Sequence, residues 1–283
     1  MSSQGLLGQP PALGQPSILD LLDLERIEED LFRSCVVVER PWALYGGQVA
    51  AQALYAAGCT VPDGRLPHSL HGYFLRSGSA ATPTVFQVYR DRDGRSFSAR
   101  RVVAIQDGEV IFNISASFAE PRDGVERDAD PVPVVPAPDL LPADVHPYHV
   151  SLETRPAGEG QLGLRGPTQF WSRCTVPLPD DDLLHACVLT YMSDLSSGLI
   201  PFESDEAETG PSLDHAVWFH RRARLDDWVL IDLVPHSVSG GRGWYTGAFY
   251  DRDGVRLASI AQESLFTDHS HRMSTTPMNR MSA

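Results

Sequence analysis

The chain repeats itself at an interval of about half its length. Tyr45-Gly46-Gly47-Gln48 matches Tyr191-Met192-Ser193-Asp194 in position, at an offset of 146 residues (191 − 45). Three further matches follow in the same order, each within one residue of that offset. They are Phe74-Leu75-Arg76 with Phe219-His220-Arg221, Gly94-Arg95 with Gly241-Arg242, and Asp107-Gly108 with Asp253-Gly254. Matches in one order at one offset predict two diverged copies of a single structural unit.

The two copies differ at positions that matter for chemistry. Asp194 stands where this alignment places Gln48 in the first copy, and Gln262 stands where it places Ala116. A repeat with two equal sites would carry the same polar groups twice. An acid and an amide that occur together only in the second copy therefore predict one asymmetric site per chain.

Each copy combines helices with long antiparallel strands. Helices are expected at 17–24, with Ser17 as N-cap, at 48–57, where alanines make a thin helix that can lie close to a sheet, and at 182–192. Strands are expected at 84–89, 97–105, 110–118, 217–220, 228–233, 244–250 and 257–266, from their β-branched and aromatic residues. The Asp-Gly pairs at 107–108 and 253–254 are typical of tight hairpin turns.

These elements divide the chain into five parts. We assign residues 1–16 to a disordered leader, 17–120 to the first unit, 121–168 to a connector, 169–267 to the second unit and 268–283 to a tail. The connector is rich in Pro, Asp and Gly and has little periodicity, as is usual for a linking segment.

Composition excludes several classes of protein. The net charge of −14 argues against a nucleic-acid partner, because phosphate binding depends on Lys and Arg. No apolar run approaches the roughly 18 residues that span a bilayer, and the first residues lack the basic start of a secretory signal. We expect a cytoplasmic protein with no stable membrane insertion, whose four cysteines are free thiols.

Long motifs in both halves resemble the type II acyl-CoA thioesterases. In the first half they are Tyr45-Gly46-Gly47-Gln48-Val49-Ala50-Ala51-Gln52-Ala53-Leu54, His68-Ser69-Leu70-His71-Gly72-Tyr73-Phe74-Leu75-Arg76, and the run from Asp93 to Gln106. In the second half they are Ser193-Asp194-Leu195, Leu213-Asp214-His215-Ala216-Val217-Trp218-Phe219-His220-Arg221, and Ser259-Ile260-Ala261-Gln262-Glu263. The resemblance extends from about residue 17 to residue 267, apart from much of the connector.

The resemblance implies a fold and an activity. The fold is α+β, a double hotdog in which one continuous antiparallel sheet wraps two central helices. The activity is hydrolysis of medium- to long-chain fatty acyl-CoA to free fatty acid and CoA, without a metal or an organic cofactor. The family's water-activating Asp, Thr or Ser, and Gln fall on Asp194, Ser212 and Gln262. The hydroxyl position is commonly Thr, so Ser212 departs mildly from the pattern by losing a methyl group that limits its rotamers.

The chemistry of this trio is sound in its own right. Thioester hydrolysis needs a positioned water, a carboxylate to orient or deprotonate it, and donors for the developing oxyanion. Gly46 and Gly47 open a helix whose N–H groups can serve as those donors, or they serve a tight turn alone. Arg95 is a candidate contact for the CoA phosphates, although a solvated strand arginine is an equally good interpretation.

Other polar groups are better interpreted as structural. His68, His71 and His220 have no third ligand at metal spacing, and we expect no metal site. His215, with Asp214, is expected to shape the site rather than to react. The edges of a double-hotdog sheet also predict self-association as a homodimer or homotetramer.

Three competing functions fit the sequence less well than thioester hydrolysis. A serine hydrolase of the α/β class needs a G-x-S-x-G elbow, and the sequence has none. A hotdog protein that binds acyl-CoA without hydrolysing it would have little use for Asp194 and Gln262. A hotdog dehydratase depends on a His paired with an acid at the start of a helix, and no strong candidate stands there.

Overall fold

The computed structural model describes residues 16–37, 43–144, 150–158 and 167–268. The leader at 1–16 and the tail at 268–283 lie outside these ranges except for one residue each. The disorder of the leader stays a prediction, and so does the cytoplasmic location. Within the described ranges no helix is long and apolar enough to cross a membrane.

Each half has two strands before its long helix and four strands after it, while the short helix Ile18–Leu22 in the first half and the strand Ala207–Ser212 in the second have no counterpart among the described residues. The helices are α1 (Ile18–Leu22), α2 (Gly46–Gly58) and α3 (Asp182–Met192). The strands of the first half are β1 (Leu24–Glu28), β2 (Leu31–Ser34), β3 (Leu66–Phe74), β4 (Val85–Asp93), β5 (Phe97–Gln106) and β6 (Glu109–Ala119). Those of the second half are β7 (Leu152–Pro156), β8 (Gln169–Cys174), β9 (Ala207–Ser212), β10 (Asp214–Phe219), β11 (Val229–Ser239), β12 (Arg242–Tyr250) and β13 (Arg256–Asp268).

The described strands form one antiparallel sheet with an internal twofold order. The sequence across the sheet is β1-β2-β4-β5-β6-β3-β10-β13-β12-β11-β8-β7, and β9 adds to the free part of β13. Outward from the central β3–β10 pair, β6, β5, β4, β2 and β1 on one side correspond to β13, β12, β11, β8 and β7 on the other. The sheet is thus two equivalent halves joined edge to edge, the double-hotdog architecture expected from the sequence.

The two long helices lie together inside this sheet. They run in opposite directions, because Tyr45 at the start of α2 contacts Tyr191 near the end of α3, and Gly58 at the end of α2 lies against Leu183. Alanines let α2 approach the sheet closely, and all five are buried: Ala50, Ala51, Ala53, Ala56 and Ala57. The thin helix predicted from composition is confirmed.

Three of the four repeat matches are structurally equivalent, and one is not. The pairs at Phe74, at Gly94-Arg95 and at Asp107-Gly108 occupy the same strand ends and turns in both halves. The Tyr45–Tyr191 match is wrong, because Tyr45 caps the start of α2 whereas Tyr191 lies near the end of α3. The two tyrosines are neighbours across an antiparallel helix pair, and Asp194 is therefore not the equivalent of Gln48.

The correspondence of Gln262 with Ala116 is confirmed by strand register. In the first half Leu70 of β3 lies opposite Ala116 of β6. In the second half Ala216 of β10 lies opposite Ala261 of β13, so the next pair in register is His215 with Gln262. An apolar pair in one copy thus corresponds to a polar pair in the other.

The expected connector at 121–168 has more structure than its composition indicated. It contains β7, which pairs with β8 at the edge of the second half. Its preceding part packs on the outside of the sheet, where Pro136 accepts a hydrogen bond of 3.0 Å from Nε1 of Trp171. Val135 and Leu141 join a small apolar cluster with Trp171 there. Short edge strands and segments that cover a sheet face carry little periodicity, so composition alone did not indicate them.

Candidate active site

Asp194 lies where the end of α3 meets the start of α2. It directly follows Ser193, the C-cap of α3, and lies near the start of the link 193–213 that leads to β10. This link is much longer than the link 59–65 that leads to β3. The backbone N–H of Gly47 acts on the half-buried carboxylate and lowers its pKa. The positive end of the α2 dipole therefore faces a negative charge, which stabilises it.

The glycines at the start of α2 make this approach possible. A Cβ on Gly46 would lie 2.5 Å from Oδ2 of Asp194 and 3.0 Å from the ring of Phe74. A Cβ on Gly47 would lie 2.4 Å from the carbonyl oxygen of Tyr191. Both glycines predicted from the sequence are thus at the site, and the close backbone approach requires them.

Gln262 joins the acid to the hydroxyl. Its buried amide projects from β13, and Nε2 donates to Oδ1 of Asp194 at 3.0 Å. The same Nε2 donates to Oγ of Ser212, at the end of β9. Pairing of β9 with β13, with Ser212 opposite Ser264, holds that hydroxyl beside the amide. The structure therefore brings together the three residues that the sequence singled out for catalysis.

Burial sets the basicity of Asp194. Removal of the carboxylate from water raises its pKa above the usual 3.8, while the charge of His215, the Gln262 amide and the Gly47 N–H act in the opposite direction. A carboxylate with a raised pKa is a better proton acceptor near neutral pH. The environment of Asp194 therefore suits general-base chemistry.

His215 completes the polar cluster from β10. Its Nδ1 lies 2.5 Å from Oε1 of Gln262, and its Nε2 lies 2.6 Å from Oγ of Ser193. The side chain is 1% exposed. His215 was expected to shape the site, but its two contacts were not predicted, because the partners lie 22 and 47 residues away along the chain.

A cavity of about 490 Å³ opens beside the trio. Its wall includes Asp194 and Ser212, and much of the rest is apolar: Leu44, Val49, Phe74, Ile111 and Phe112. The rings of Phe74 and Phe112 are in contact, with centroids 4.7 Å apart. A polar cluster at the wall of an apolar cavity is suited to an ester or thioester with a hydrocarbon tail.

The arginine at this cavity is not the one that sequence analysis selected. Arg95 lies in the turn between β4 and β5, where its carbonyl accepts from Nη2 of Arg65 at 3.2 Å. Arg95 does not line the cavity. It precedes the first residue of β5, whereas Phe112, which lines the cavity, lies opposite Ala104 near the other end of that strand. Arg76, which directly follows β3, lines the cavity instead and pairs with Glu109 at 2.9 Å.

A second, larger cavity of about 610 Å³ occupies the equivalent place at the start of α3. Here Asp181 caps the helix through its own side chain, and Asp182 and Glu126 add negative charge to the wall. The positions of the first half that correspond to His215 and Gln262 hold Leu70 and Ala116. The polar pair therefore has no counterpart at this second cavity, and we take the cavity beside the trio as the candidate active site.

The described part of the chain has no group of three or more His, Cys, Asp or Glu side chains placed to hold a metal ion. The four cysteines are free thiols, as expected. The polar side chains that line the apolar cavity are those of Asp194, Ser212, Arg76 and Ser77, and the buried Gln262 lies directly behind Asp194 and Ser212.

Comparisons with known proteins point to one family of enzymes. Residues 38–119 match the family model for the acyl-CoA thioesterase N-terminal domain, and residues 126–266 match that for the C-terminal domain. Human acyl-coenzyme A thioesterase 8 is 33% identical over 91% of both chains. Acyl-CoA thioesterase 2 of Haemophilus influenzae is 32% identical over 88% of this chain and 96% of its own.

A solved structure gives the same result for the fold. The acyl-CoA thioesterase II TesB2 from Mycobacterium marinum is 40% identical, with a TM-score of 0.77, over 90% of this chain and all of its own. Sequence relatives and structure agree over both halves. The chain belongs to the type II acyl-CoA thioesterase family and is an enzyme that hydrolyses acyl-CoA thioesters.

Proposed function

We propose that the enzyme hydrolyses medium- to long-chain fatty acyl-CoA, using a water activated by Asp194, Gln262 and Ser212. The observation that carries this proposal is the double donation by Nε2 of Gln262, to Asp194 and to Ser212, at the wall of the apolar cavity. This arrangement leaves a carboxylate oxygen and a hydroxyl facing the space where a thioester carbonyl can lie.

The water would be held between Asp194 and Ser212. Asp194 takes one proton as the water oxygen attacks the thioester carbon, and a tetrahedral intermediate with a negative oxygen forms. The intermediate then collapses, the carbon–sulfur bond breaks, and the proton returns from Asp194 to the CoA thiolate. Thiolate is a good leaving group, so a covalent enzyme intermediate is not required.

The start of α2 offers a donor for the oxyanion. Among its first N–H groups, Gln48 and Val49 donate to the carbonyl of Tyr45, at 3.1 and 3.2 Å. The N–H of Gly47 acts on the Asp194 carboxylate. The N–H of Gly46 remains for the substrate oxygen, and the helix dipole favours negative charge at that point.

The cavity supports the proposed chain length. The volume of about 490 Å³ is many times that of a water-sized group, which takes about 30 Å³ in the liquid, so the cavity has room for a chain of many methylene groups. Part of this space is open and would hold the thioester and the end of the pantetheine arm. A medium to long acyl chain fills what remains.

The test is CoA release from acyl-CoAs of 4 to about 18 carbons, measured with a thiol reagent, for wild type, Asp194→Asn and Gln262→Ala. We expect wild-type activity to peak on medium to long chains, and each variant to lose at least about tenfold in kcat, or roughly 1.4 kcal/mol. Variants with wild-type kcat would show that the trio does not activate the water. A maximum on the shortest chains would overturn the proposed chain length.

We also propose that the enzyme self-associates through the outer face of its central strands. Tyr73 of β3 and Trp218 of β10 point outward there, 59% and 37% exposed, and His71 packs against Trp218 with ring centroids 5.0 Å apart. Exposed aromatic groups are enriched at interfaces. Light scattering after size exclusion should give a dimer or tetramer; a monomer at micromolar concentration would contradict this.

A further inference from the structure

The structure assigns His215 a role as a positioning residue: its Nδ1–H holds the Gln262 amide in the orientation in which Nε2 faces Asp194 and Ser212. This inference rests on the function proposed above and adds a fourth side chain to the trio. It follows from the hydrogen bonds around the amide, from the contacts of the imidazole and from a comparison between the two halves of the chain.

The orientation of the Gln262 amide is a choice between two states of nearly equal shape. With Nε2 toward Asp194, the amide donates to Oδ1 at 3.0 Å and to Ser212. Rotated by half a turn, it would present its oxygen to a carboxylate that can only accept, and two acceptors would face each other. The working orientation therefore needs a partner for Oε1 on the opposite side.

His215 is that partner. Oε1 of Gln262 can only accept, so the contact of 2.5 Å with Nδ1 requires the proton on Nδ1. In the rotated state two donors would face each other at this point. The same imidazole thus favours the working orientation and opposes the other one.

The other side of the imidazole is fixed by the residue beside the catalytic acid. Nε2 lies 2.6 Å from Oγ of Ser193, and the single proton of that hydroxyl is donated to the carbonyl of Thr190 at 2.8 Å. Ser193 directly precedes Asp194 and is 2% exposed. His215 therefore ties the end of α3, which carries the acid, to β13, which carries the amide.

The first half of the chain has apolar residues at the two positions that correspond to His215 and Gln262. Leu70 and Ala116 stand there in place of His215 and Gln262, and both are buried. The histidine and the glutamine are absent together in that copy. A leucine on the central strand at this position is compatible with the fold, so the fold alone does not require the histidine.

Three substitutions at position 215 separate a positioning role from a merely structural one. His215→Asn places an amide N–H near the position of Nδ1, His215→Gln places one near Nε2, and His215→Leu places none. We expect Leu and Gln to lower kcat at least about tenfold with KM changed less than about twofold, and Asn to keep kcat within about threefold of wild type. Thermal unfolding of each variant reports on folding independently.

A double-mutant cycle tests the partner. If His215 acts through Gln262, His215→Leu should change kcat less than about twofold in a Gln262→Ala background, although it costs about tenfold alone. Equal losses in both backgrounds, equal kcat for the Asn and Leu variants, or a wild-type kcat for His215→Leu would each overturn the positioning role.

The same data distinguish the two levels of the proposal. A wild-type kcat in both Asp194→Asn and Gln262→Ala would show that the trio does not activate the water, and the positioning role of His215 would then fail with it. Losses in those two variants without a loss in His215→Leu would remove the role of His215 alone. If His215→Leu unfolds, comparison of kcat between His215→Asn and His215→Gln still tests the role. The two side chains have the same amide group and differ in where they place the N–H donor.

Discussion

The hydroxyl of Tyr45 donates a hydrogen bond of 2.8 Å to the backbone carbonyl of Tyr191, joining the two central helices at the active site. Tyr45 is the N-cap of α2, and its ring packs edge-on against that of Tyr191 with centroids 4.9 Å apart. Asp194 lies three residues after Tyr191. This bond therefore sets the position of the acid relative to the helix start that faces it.

Removal of this hydroxyl should cost stability. Tyr45→Phe leaves the carbonyl of Tyr191 without that donor, and we expect a loss of about 1 kcal/mol in the free energy of unfolding. Tyr73→Phe is the control, because Tyr73 is 59% exposed and its change should fall within about 0.5 kcal/mol. Urea unfolding measures both. Equal values for the two variants would show that the bond between the helices contributes little.

A methyl group at Gly46 should damage catalysis more than folding. Its Cβ would lie 2.5 Å from Oδ2 of Asp194, so the carboxylate must move. We expect Gly46→Ala to lower kcat/KM at least about tenfold. Gly124→Ala is the matched control, since a Cβ there meets no atom within 4 Å. A Gly46 variant as active as the Gly124 variant would show that the carboxylate tolerates displacement.

Asp194 should reduce stability at neutral pH. Its pKa is raised in the folded protein by burial, so the folded state binds the proton more tightly than the unfolded chain does. Stability therefore decreases as pH rises from about 3.8 through the folded-state pKa. Asp194→Asn removes this ionisation and should melt at a higher temperature than wild type at pH 7, by a margin that shrinks toward pH 4. A margin that is constant with pH, or a lower melting temperature at pH 7, would contradict the raised pKa.

Most of the scaffold could be predicted from local sequence patterns. The helix at 182–192 was predicted with its observed bounds, and the Asp-Gly turns at 107–108 and 253–254 lie between paired strands. The strands that escaped prediction are β1, β2, β3, β7, β8 and β9; β3, β7 and β9 contain Pro, and β1, β2 and β8 have no more than six residues. Strand β1 is exposed along nearly its whole length, and β9 contains both Gly and Pro. Neither strand therefore shows the alternation of apolar and polar residues from which a strand is predicted.

Comparison of the two copies located only part of the site, and Ser212 was assigned from the family resemblance alone. Gln262 was found because an alanine stands at the equivalent position. Asp194 was found through an alignment that the structure contradicts, since Tyr45 and Tyr191 meet in space without being equivalent. Asp194 and Ser212 lie in the link 193–213, which is much longer than its counterpart, so comparison of the copies could not have located them by position. The role of His215 depends on a partner 47 residues away and had no local signal.

Ser212 should be replaceable by threonine and not by alanine. Its Oγ accepts from Nε2 of Gln262, and threonine keeps that oxygen while its methyl restricts the rotamers. We expect Ser212→Thr to have a kcat equal to or a few-fold above that of wild type, and Ser212→Ala to lose about tenfold. Steady-state rates on one long-chain acyl-CoA decide this. An alanine variant with wild-type kcat would exclude the hydroxyl from the site.

The contact with the nucleotide end of CoA should depend on Arg76 rather than on Arg95. Arg76 lines the cavity, its side chain is 53% exposed, and Glu109 is its partner at 2.9 Å, so a phosphate at the cavity mouth can compete for the guanidinium.

We expect Arg76→Ala to raise KM for acyl-CoA several-fold with little change in kcat, because the lost contact is the same in the ground and transition states. Arg95→Ala is the matched control and should leave KM unchanged. Acyl-pantetheine, which has no nucleotide, should be hydrolysed equally well by wild type and by Arg76→Ala. A rise in KM confined to Arg95→Ala would show that Arg95, the arginine predicted from the sequence, contacts the phosphates and that Arg76 does not. An equal rise on acyl-pantetheine would instead show that Arg76 shapes the acyl cavity through Glu109 and does not meet the phosphates.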